Sequence, residues 1–276
     1  YEKQTERVGR LLKEAEAVLI GAGAGASTAA GLTYAGKRFT ENFGEFIDKY
    51  GKMNMPDMYA AGFYPFPSQE ARWGYWSKHS MMNRFLPPAL PLYLQLYELV
   101  KEKDYFVLTT NVDHQFYKAG FAAERIFATQ GDYGMIQCEK GCHRKIYDAE
   151  ALFRRMDETR KDCLIPASMV PRCPVGNMAM HLRADQYFVE DENWHAAAER
   201  YSVFLGNALT KKTVLLELGV GFNTPGIIKY PFWRMTAANP KAVYACINYG
   251  EAHVPGEIAK RSICINADIG EVLKQL

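Results

Sequence analysis

Five short apolar runs punctuate the chain, at Ala17 to Ile20, Tyr105 to Leu108, Thr213 to Leu218, Ala242 to Ile247 and Ser262 to Ile265. Each is continuous rather than alternating, as in strands covered on both faces, and the intervening stretches are long enough for helices. That pattern predicts an α/β fold, a doubly wound parallel sheet whose ligands sit beyond the carboxyl ends of its strands. Each unusual polar cluster follows one of the runs. Gly21 to Ser27 follows Ile20, Thr109-Thr-Asn-Val-Asp113 follows Leu108, Gly219-Val-Gly-Phe-Asn223 follows Leu218, and Asn248-Tyr-Gly250 follows Ile247. Four loops are therefore expected along one sheet edge.

The first loop, Gly21-Ala-Gly-Ala-Gly-Ala26-Ser27, alternates glycine and alanine. A strand ending there is expected to turn bare backbone N–H groups outward and to lead into a helix from Ser27, whose partly positive N-terminus suits a diphosphate. Gly21-x-Gly23-x-x-Ala26 also fits the dinucleotide fingerprint, although the same run serves equally as a tight strand-to-helix turn with nothing bound.

Two segments break the alternation. Thr40 to Leu96 is rich in aromatic residues and methionine and is interrupted by prolines such as Pro56, Pro65, Pro87 and Pro91, which predicts a mainly helical insertion covering the glycine turn, most of its aromatics forming its own core and some open to line a substrate groove. Around Gln137 to Met180 the chain gathers Cys138, Cys142, Cys163 and Cys173 in a stretch too short and polar to make a core unaided, which suggests a metal. Cys246 and Cys264 fall within apolar runs and read as buried strand thiols. Six cysteines in 276 residues do not form a secreted disulfide framework. No apolar run approaches a bilayer span, and Tyr1-Glu-Lys-Gln-Thr5-Glu-Arg7 is not a signal peptide, so a cytoplasmic location without membrane contact is expected. The net charge of +2 is spread over interleaved acids and bases, which points away from nucleic acid.

Taken together, these fragments resemble the sirtuins. Gly23-Ala-Gly-Ala-Ser27-Thr-Ala-Ala-Gly31-Leu32 is similar to that family's Gly-Ala-Gly-x-Ser-x-x-Ser-Gly-Ile, and Thr109-Thr-Asn111-Val-Asp113 to its Thr-Gln-Asn-Ile-Asp. Ala119-Gly120, the paired cysteines, Leu182-Arg183, the Gly219 loop, Ile247-Asn248 and Asp268-Ile269-Gly270-Glu271 keep the family order, so the likeness covers nearly the whole chain. It implies a Rossmann-type domain with a helical insertion and a small zinc-binding module, and NAD consumed as a reactant. The expected parts are residues 1–39, 97–135 and 205–276 for NAD binding, 40–96 for the insertion, 136–180 for the zinc module and 181–204 for a connecting, target-binding segment.

The departures from the family are informative. Thr33-Tyr34-Ala35-Gly36-Lys37-Arg38 replaces Pro-Asp-Phe-Arg, Gln130-Gly131 replaces the His-Gly that carries the deacylase base, and Asp185-Gln-Tyr-Phe-Val-Glu190 replaces the acyl-lysine clamp. The chain resembles the macrodomain-linked branch, whose members are protein ADP-ribosyltransferases. That resemblance implies as partners an acceptor protein, a lipoylated glycine-cleavage H-like carrier, and a macrodomain hydrolase.

Breaking the bond between nicotinamide and ribose builds positive charge at C1′ and needs no proton removed. Asn111 can hold the ribose or a water below C1′, and Asp113 can hold the nicotinamide amide or a neighbouring donor. Gln130 cannot accept a proton near neutral pH, which removes the base that deacylation requires but not the positioning that attack by a carboxylate requires. The expected cofactor residues are Gly23, Ala24, Gly25, Ser27, Tyr34, Arg38, Thr110, Val112, Gly219, Val220, Gly221, Asn223, Asn248, Tyr249, Gly250, Asp268 and Ile269. Arg183 is a candidate for the acceptor, with Asp185 as the alternative partner in an ordinary ion pair. His114 is a possible but structural-looking substitute base. Cys138, Cys142 and Cys173 resemble the ligands of a structural zinc; Gly176 occupies the fourth place, Cys163 or His143 are the candidates to fill it, and a degraded, empty site is the alternative. A deacylase of longer acyl chains and a non-catalytic NAD sensor are the competing activities.

Overall fold

The computed structural model describes residues 1–276. Ten strands form, β1 (Ala17–Ala22), β2 (Asp104–Thr109), β3 (Ile126–Ala128), β4 (Gly131–Cys138), β5 (Ile146–Asp148), β6 (Arg172–Cys173), β7 (Gly176–Leu182), β8 (Thr213–Leu218), β9 (Val243–Ile247) and β10 (Ser262–Ile265). The chain divides into two compact units, one of residues 1–31, 89–130 and 192–276, the other of residues 32–88 and 131–191.

The first unit contains a six-stranded, wholly parallel sheet in the order β10-β9-β8-β1-β2-β3. All five apolar runs are strands of this sheet. The sixth strand, β3, has only three residues and pairs with β2 alone, too short a run to stand out in the sequence. Side chains alternate between two cores. Val18, Ile20 and Ala22 face one core with the helices Glu2–Glu14 and Pro91–Val100, while Ala17 and Leu19 face the other with Glu192–Ala208 and Lys229–Ala238. This two-sided cover is why the strands read as unbroken apolar runs. The helix Pro91–Val100 lies in this unit, where it packs Leu92, Tyr93, Leu96 and Val100 into the first core.

The glycine run departs from expectation in two ways. The strand β1 continues through Gly21 and Ala22, and the helix begins at Ala24 with Gly23 as its N-cap, three residues before Ser27. Gly21 is therefore a strand residue, and its reason is packing. A Cβ there would lie 2.4 Å from Ile228 Cγ2 and 2.7 Å from the Phe232 ring.

The second unit joins the aromatic segment and the cysteine segment. Phe39, Phe43, Phe46, Met55, Met58 and Tyr75 form a core of helices Lys37–Asn42, Gly44–Tyr50 and Gln69–Ser80, which bears out the expected aromatic core. The cysteine segment folds as an antiparallel sheet, β5-β4-β7-β6, with the helix Glu150–Thr159. Phe153 of that helix packs on Trp73 with ring centroids 6.0 Å apart, so this segment borrows its core from the aromatic one. β4 starts at Gly131 with φ +103, where a Cβ would meet His181 O at 1.9 Å.

Two histidines of this unit are buried in the neutral state. His79 is 0% and His181 4% exposed. His79 Nδ1 lies 3.1 Å from Met58 O and His181 Nδ1 2.8 Å from Gln137 Oε1, so each ring donates from Nδ1. Burial pushes their pKa values down to about 3 and about 4. The unfolded chain then binds protons that the folded one refuses, so their contribution to stability is whole above about pH 6.5 and falls as the pH drops toward 4. Thermal melts between pH 7 and 4.5 are expected to lose up to about 1.4 kcal/mol per pH unit for each histidine, and His181→Asn should flatten that slope. A melting temperature independent of pH across this window contradicts the assignment.

Candidate active site

The strand order of the first unit reverses direction at β1, with β2 and β3 on one side and β8, β9 and β10 on the other. In doubly wound sheets the crevice beyond the carboxyl ends at this switch point takes the ligand. The loops after β1, β2, β8 and β9 all leave from that edge.

At its centre two loops cross in backbone contact. Gly23 N donates to Leu218 O at 3.0 Å and Gly25 N to Gly219 O at 2.9 Å. These two N–H groups are therefore spent between loops and do not face outward, contrary to the expectation for the glycine run. The glycines are required by the crossing itself. A Cβ on Gly23 would come within 2.7 Å of Gly219 O, one on Gly25 within 2.7 Å of Gly219 Cα, and one on Gly219 within 2.4 Å of Ala26 N. Gly219 also has φ +62.

Beside the crossing lies a buried polar cluster. Ser27 Oγ donates to Asp113 Oδ2 and shares a 2.8 Å hydrogen bond with Tyr93 OH. Asp113 Oδ1 accepts from Gln115 N at 3.1 Å, so both carboxylate oxygens hold the loop and the helix start together. Asn111 Nδ2 donates to Gly23 O at 2.9 Å, which fixes the side chain and leaves Oδ1 as its acceptor. Thr110 N bonds Ala22 O, and Val112 is half-buried in the same loop. His114 has φ 66 and stacks on Tyr117 at 4.3 Å, a structural position for the residue weighed as a substitute base.

Asn111 and Gln130 follow the ends of the paired strands β2 and β3, which are linked by hydrogen bonds. Thr109 Oγ1 accepts from Asn111 N at 3.0 Å, Thr109 O accepts from Thr129 N at 3.0 Å, and Thr129 Oγ1 accepts from Gln130 Nε2 at 3.0 Å. Thr129 O in turn accepts from Trp194 Nε1 at 3.2 Å. Thr129 and Tyr93 are thus supporting residues that carry no chemical signal of their own in the sequence, whereas Thr109 is marked there as the threonine that opens the Thr-Thr-Asn motif.

The β8 and β9 loops are tied by side chains. Asn248 Nδ2 donates to Val220 O at 3.0 Å, Glu251 Oε2 accepts from Phe222 N at 3.2 Å and would meet a Cβ on Gly221 at 2.9 Å, and Gly250 N donates to Asn266 Oδ1 at 2.7 Å. Asn223 is exposed, as is Tyr249 at 82%. Asp268 caps the helix Ile269–Leu273 by accepting from Glu271 N at 3.0 Å, and the Ile269 side chain is buried in the sheet core. Both have structural occupations in addition to any contact with adenosine.

In the second unit, Tyr34 OH bonds Tyr133 OH at 2.7 Å. The Arg38 guanidinium donates to Thr33 O, Met82 O and Asn83 Oδ1, each at 2.9 Å, and burial lowers its pKa. Arg183 pairs with Glu190 Oε1 at 2.5 Å and lies over the Phe188 ring at 4.3 Å. Asp185, considered as its partner, instead accepts from Tyr187 N.

Cys138, Cys142 and Cys173 place their sulfurs within 4.8 Å of one another. Three convergent thiols suit a soft tetrahedral cation such as zinc. Burial pushes the Cys138 thiol up, but donors from Cys142 and the Lys140 backbone outweigh it and bring the pKa down to about 7. Cys163 lies elsewhere, in the aromatic core, where burial raises its thiol to about 11. It is not a fourth member of the cluster.

Solved structures with this fold are Sir2 enzymes. A Sir2Tm structure bound to a propionylated peptide matches with a TM-score of 0.61 and 16% identity over 98% of this chain and 96% of that one. Another Sir2 structure matches with a TM-score of 0.58 and 15% identity over 99% and 95%. A protein named protein ADP-ribosyltransferase from Staphylococcus aureus is 38% identical over 274 residues, covering 98% of this chain and 86% of that protein. A Fusarium oxysporum f. sp. cubense protein named probable bifunctional ADP-ribose hydrolase/ADP-ribosyltransferase is 31% identical over 282 residues, 96% of this chain; the chain spans about half its length, 46%. No protein-family model matches the chain. The chain has the fold of the Sir2 enzymes. Within that class, the chain belongs to the protein ADP-ribosyltransferases.

Proposed function

We propose that this chain cleaves NAD at the nicotinamide–ribose bond and transfers ADP-ribose to a carboxylate side chain of an acceptor protein. The observation that carries the reading is that Asn111 and Gln130 stand just beyond the ends of the paired strands β2 and β3, held through Thr109 and Thr129, with no titratable base in that pair. As nicotinamide leaves with the bonding electrons, charge develops at C1′, and a fixed amide dipole is preorganised to orient ribose hydroxyls or a water against it. Asn111 Oδ1 suits that part. Gln130 orients the ribose or the acceptor. Asp113 acts through Ser27 and the Asn111 loop as a positioning residue, since both its oxygens already accept hydrogen bonds within the unit. The incoming carboxylate is ionised on arrival, so its oxygen forms the new bond to C1′ without a base. The crossed loops at Gly23, Gly25 and Gly219 shape the cradle for the diphosphate, with Val220, Gly221, Asn223 and Asn248 toward the adenosine.

The finer partner assignment rests on the family resemblance. The acceptor is a lipoylated H-like carrier protein, reversal is the task of a macrodomain hydrolase, and zinc in the three-cysteine cluster is structural. The Fusarium relative, whose name joins hydrolase and transferase, supports the pairing of the two activities. No helix is long and apolar enough to cross a membrane, and all six cysteines are free, which fits the proposed cytoplasmic location.

Incubation with NAD labelled in the adenosine moiety and a cell lysate is expected to place label on protein. Asn111→Ala should reduce labelling at least about 100-fold, the scale of losing an oriented electrostatic group. Efficient NAD-dependent deacetylation of an acetyl-lysine peptide, or unchanged NAD in the presence of acceptor, defeats the proposal.

A further inference from the structure

We propose that Cys138, Cys142 and Cys173 form a three-thiolate zinc site whose fourth position is open and takes an exogenous thiol. The three sulfurs are already gathered. Cys138 and Cys173 Sγ are 3.4 Å apart and Cys142 and Cys173 Sγ 3.9 Å, close to the roughly 3.8 Å edge of a tetrahedron with zinc–sulfur bonds of about 2.3 Å. The loop between the first two is folded for metal binding. Gly141 has φ +60, its N–H bonds Cys138 O, and Cys142 N donates to Cys138 Sγ at 3.4 Å, so a main-chain N–H supports a thiolate.

The fourth ligand is missing from the chain by position and by chemistry. Cys173-Pro-Val-Gly176 forms the tight turn between β6 and β7, and Gly176 stands where a second pair would place its cysteine. A Cβ at Gly176 meets nothing within 4 Å, so the turn has room for a ligand it does not supply. Cys163 is locked in the aromatic core, and Cys246 and Cys264 are sheet residues of the other unit. His143 falls outside the mutually close set. Its Nδ1 sits 3.0 Å from Cys142 Sγ and its Nε2 3.0 Å from Tyr147 OH, the placing of a ring that hydrogen-bonds a ligand sulfur and is held by a second partner.

Three thiolates on a divalent cation leave a net single negative charge, and Lys140, Arg144, Lys145 and Arg172 lie close in sequence to these ligands, so one more anionic ligand is tolerated. Cys142 is exposed and Cys173 half-buried, so the cluster is reached from solvent on the Cys142 side. A soft anion, a small thiolate, is the ligand class that suits zinc in a sulfur-rich shell.

The test uses the full chain loaded with cobalt(II) under anaerobic, thiol-free conditions. Wild-type protein is expected to bind one equivalent, and addition of 2-mercaptoethanol should intensify the sulfur-to-cobalt absorption and shift the visible bands. Gly176→Cys should show the four-thiolate spectrum from the start, should not respond to the thiol, and in its zinc form should lose metal to a chelator at least tenfold more slowly. His143→Ala should still respond to the thiol. A wild-type spectrum that ignores thiol, a His143→Ala spectrum that shows loss of a ligand, or a failure to bind cobalt stoichiometrically overturns the proposal. These readouts do not depend on NAD turnover, so they stand apart from the proposed transferase activity.

Discussion

Gly219→Ala is expected to lower NAD turnover at least about 100-fold while leaving a folded protein. Two costs act together. The residue sits at φ +62, where a side chain costs about 1–2 kcal/mol. The new Cβ would also lie 2.4 Å from Ala26 N, 2.5 Å from Gly25 C and 2.6 Å from Gly25 Cα. All three atoms are backbone, so relief comes only by moving the β8 loop away from the start of the helix Ala24–Ala29. That displacement breaks the Gly25 N to Gly219 O hydrogen bond and pulls apart the two loops proposed to hold the dinucleotide. A misplacement of about 1 Å in a site that works by positioning costs on the order of 10²-fold. Steady-state nicotinamide release and NAD affinity by thermal shift measure the effect. Gly206→Ala is the control, because a Cβ at Gly206 meets nothing within 4 Å and the residue lies in the helix Glu192–Ala208. Wild-type turnover by Gly219→Ala would show that the crossing does not govern the site.

The second large effect concerns stability. Lys229 and Glu217 are both 0% exposed, with Nζ 2.5 Å from Oε1. Tyr244 OH donates to Glu217 Oε2 at 2.6 Å and Cys246 Sγ to Oε1 at 3.5 Å. Burial, together with the charge of Glu217, pushes both the Tyr244 hydroxyl and the Cys246 thiol up, so each remains a protonated donor to the carboxylate. Lys229→Met removes the counter-charge and strands a carboxylate in the core, a change that costs about 3–5 kcal/mol. For a chain of this size that corresponds to a fall in melting temperature of roughly 6–20 °C. The triple variant Lys229→Met, Glu217→Leu and Tyr244→Phe removes charge and orphaned hydroxyl together. It should recover most of the loss, because the desolvation cost of the ions disappears with them. Calorimetry on the single and triple variants decides the matter, and a Lys229→Met protein melting within 2 °C of wild type would mean that water or another group reaches Glu217.

The same pair marks a limit of the sequence. Glu217 reads as one polar residue inside Thr213 to Leu218, and Lys229 follows a proline-containing loop; nothing in either position announces a partner twelve residues away. The aromatic core around Phe43, Phe46 and Tyr75 was legible, since apolar residues at such density must bury one another. That the cysteine segment shares this core through Phe153 and Trp73 was not legible, because that contact joins residues eighty apart.

By itself, the order of apolar runs and polar loops determined the parallel sheet and the edge at which its loops gather. A strand covered on both faces must be continuously apolar, and its chemistry can only collect at its ends. That Gln130 offers an amide where the family pattern has an imidazole is also read from the sequence, since the exchange changes which protons can move. Tertiary structure alone decided that the glycines at 23, 25 and 219 serve a backbone crossing, that Asp113 is occupied by Ser27 and Gln115, and that Thr109 ties the loop of Asn111 to Thr129, which in turn holds the Gln130 amide. Those facts depend on which backbone atoms meet across long sequence separations, and close approach in three dimensions leaves no periodic trace along a chain.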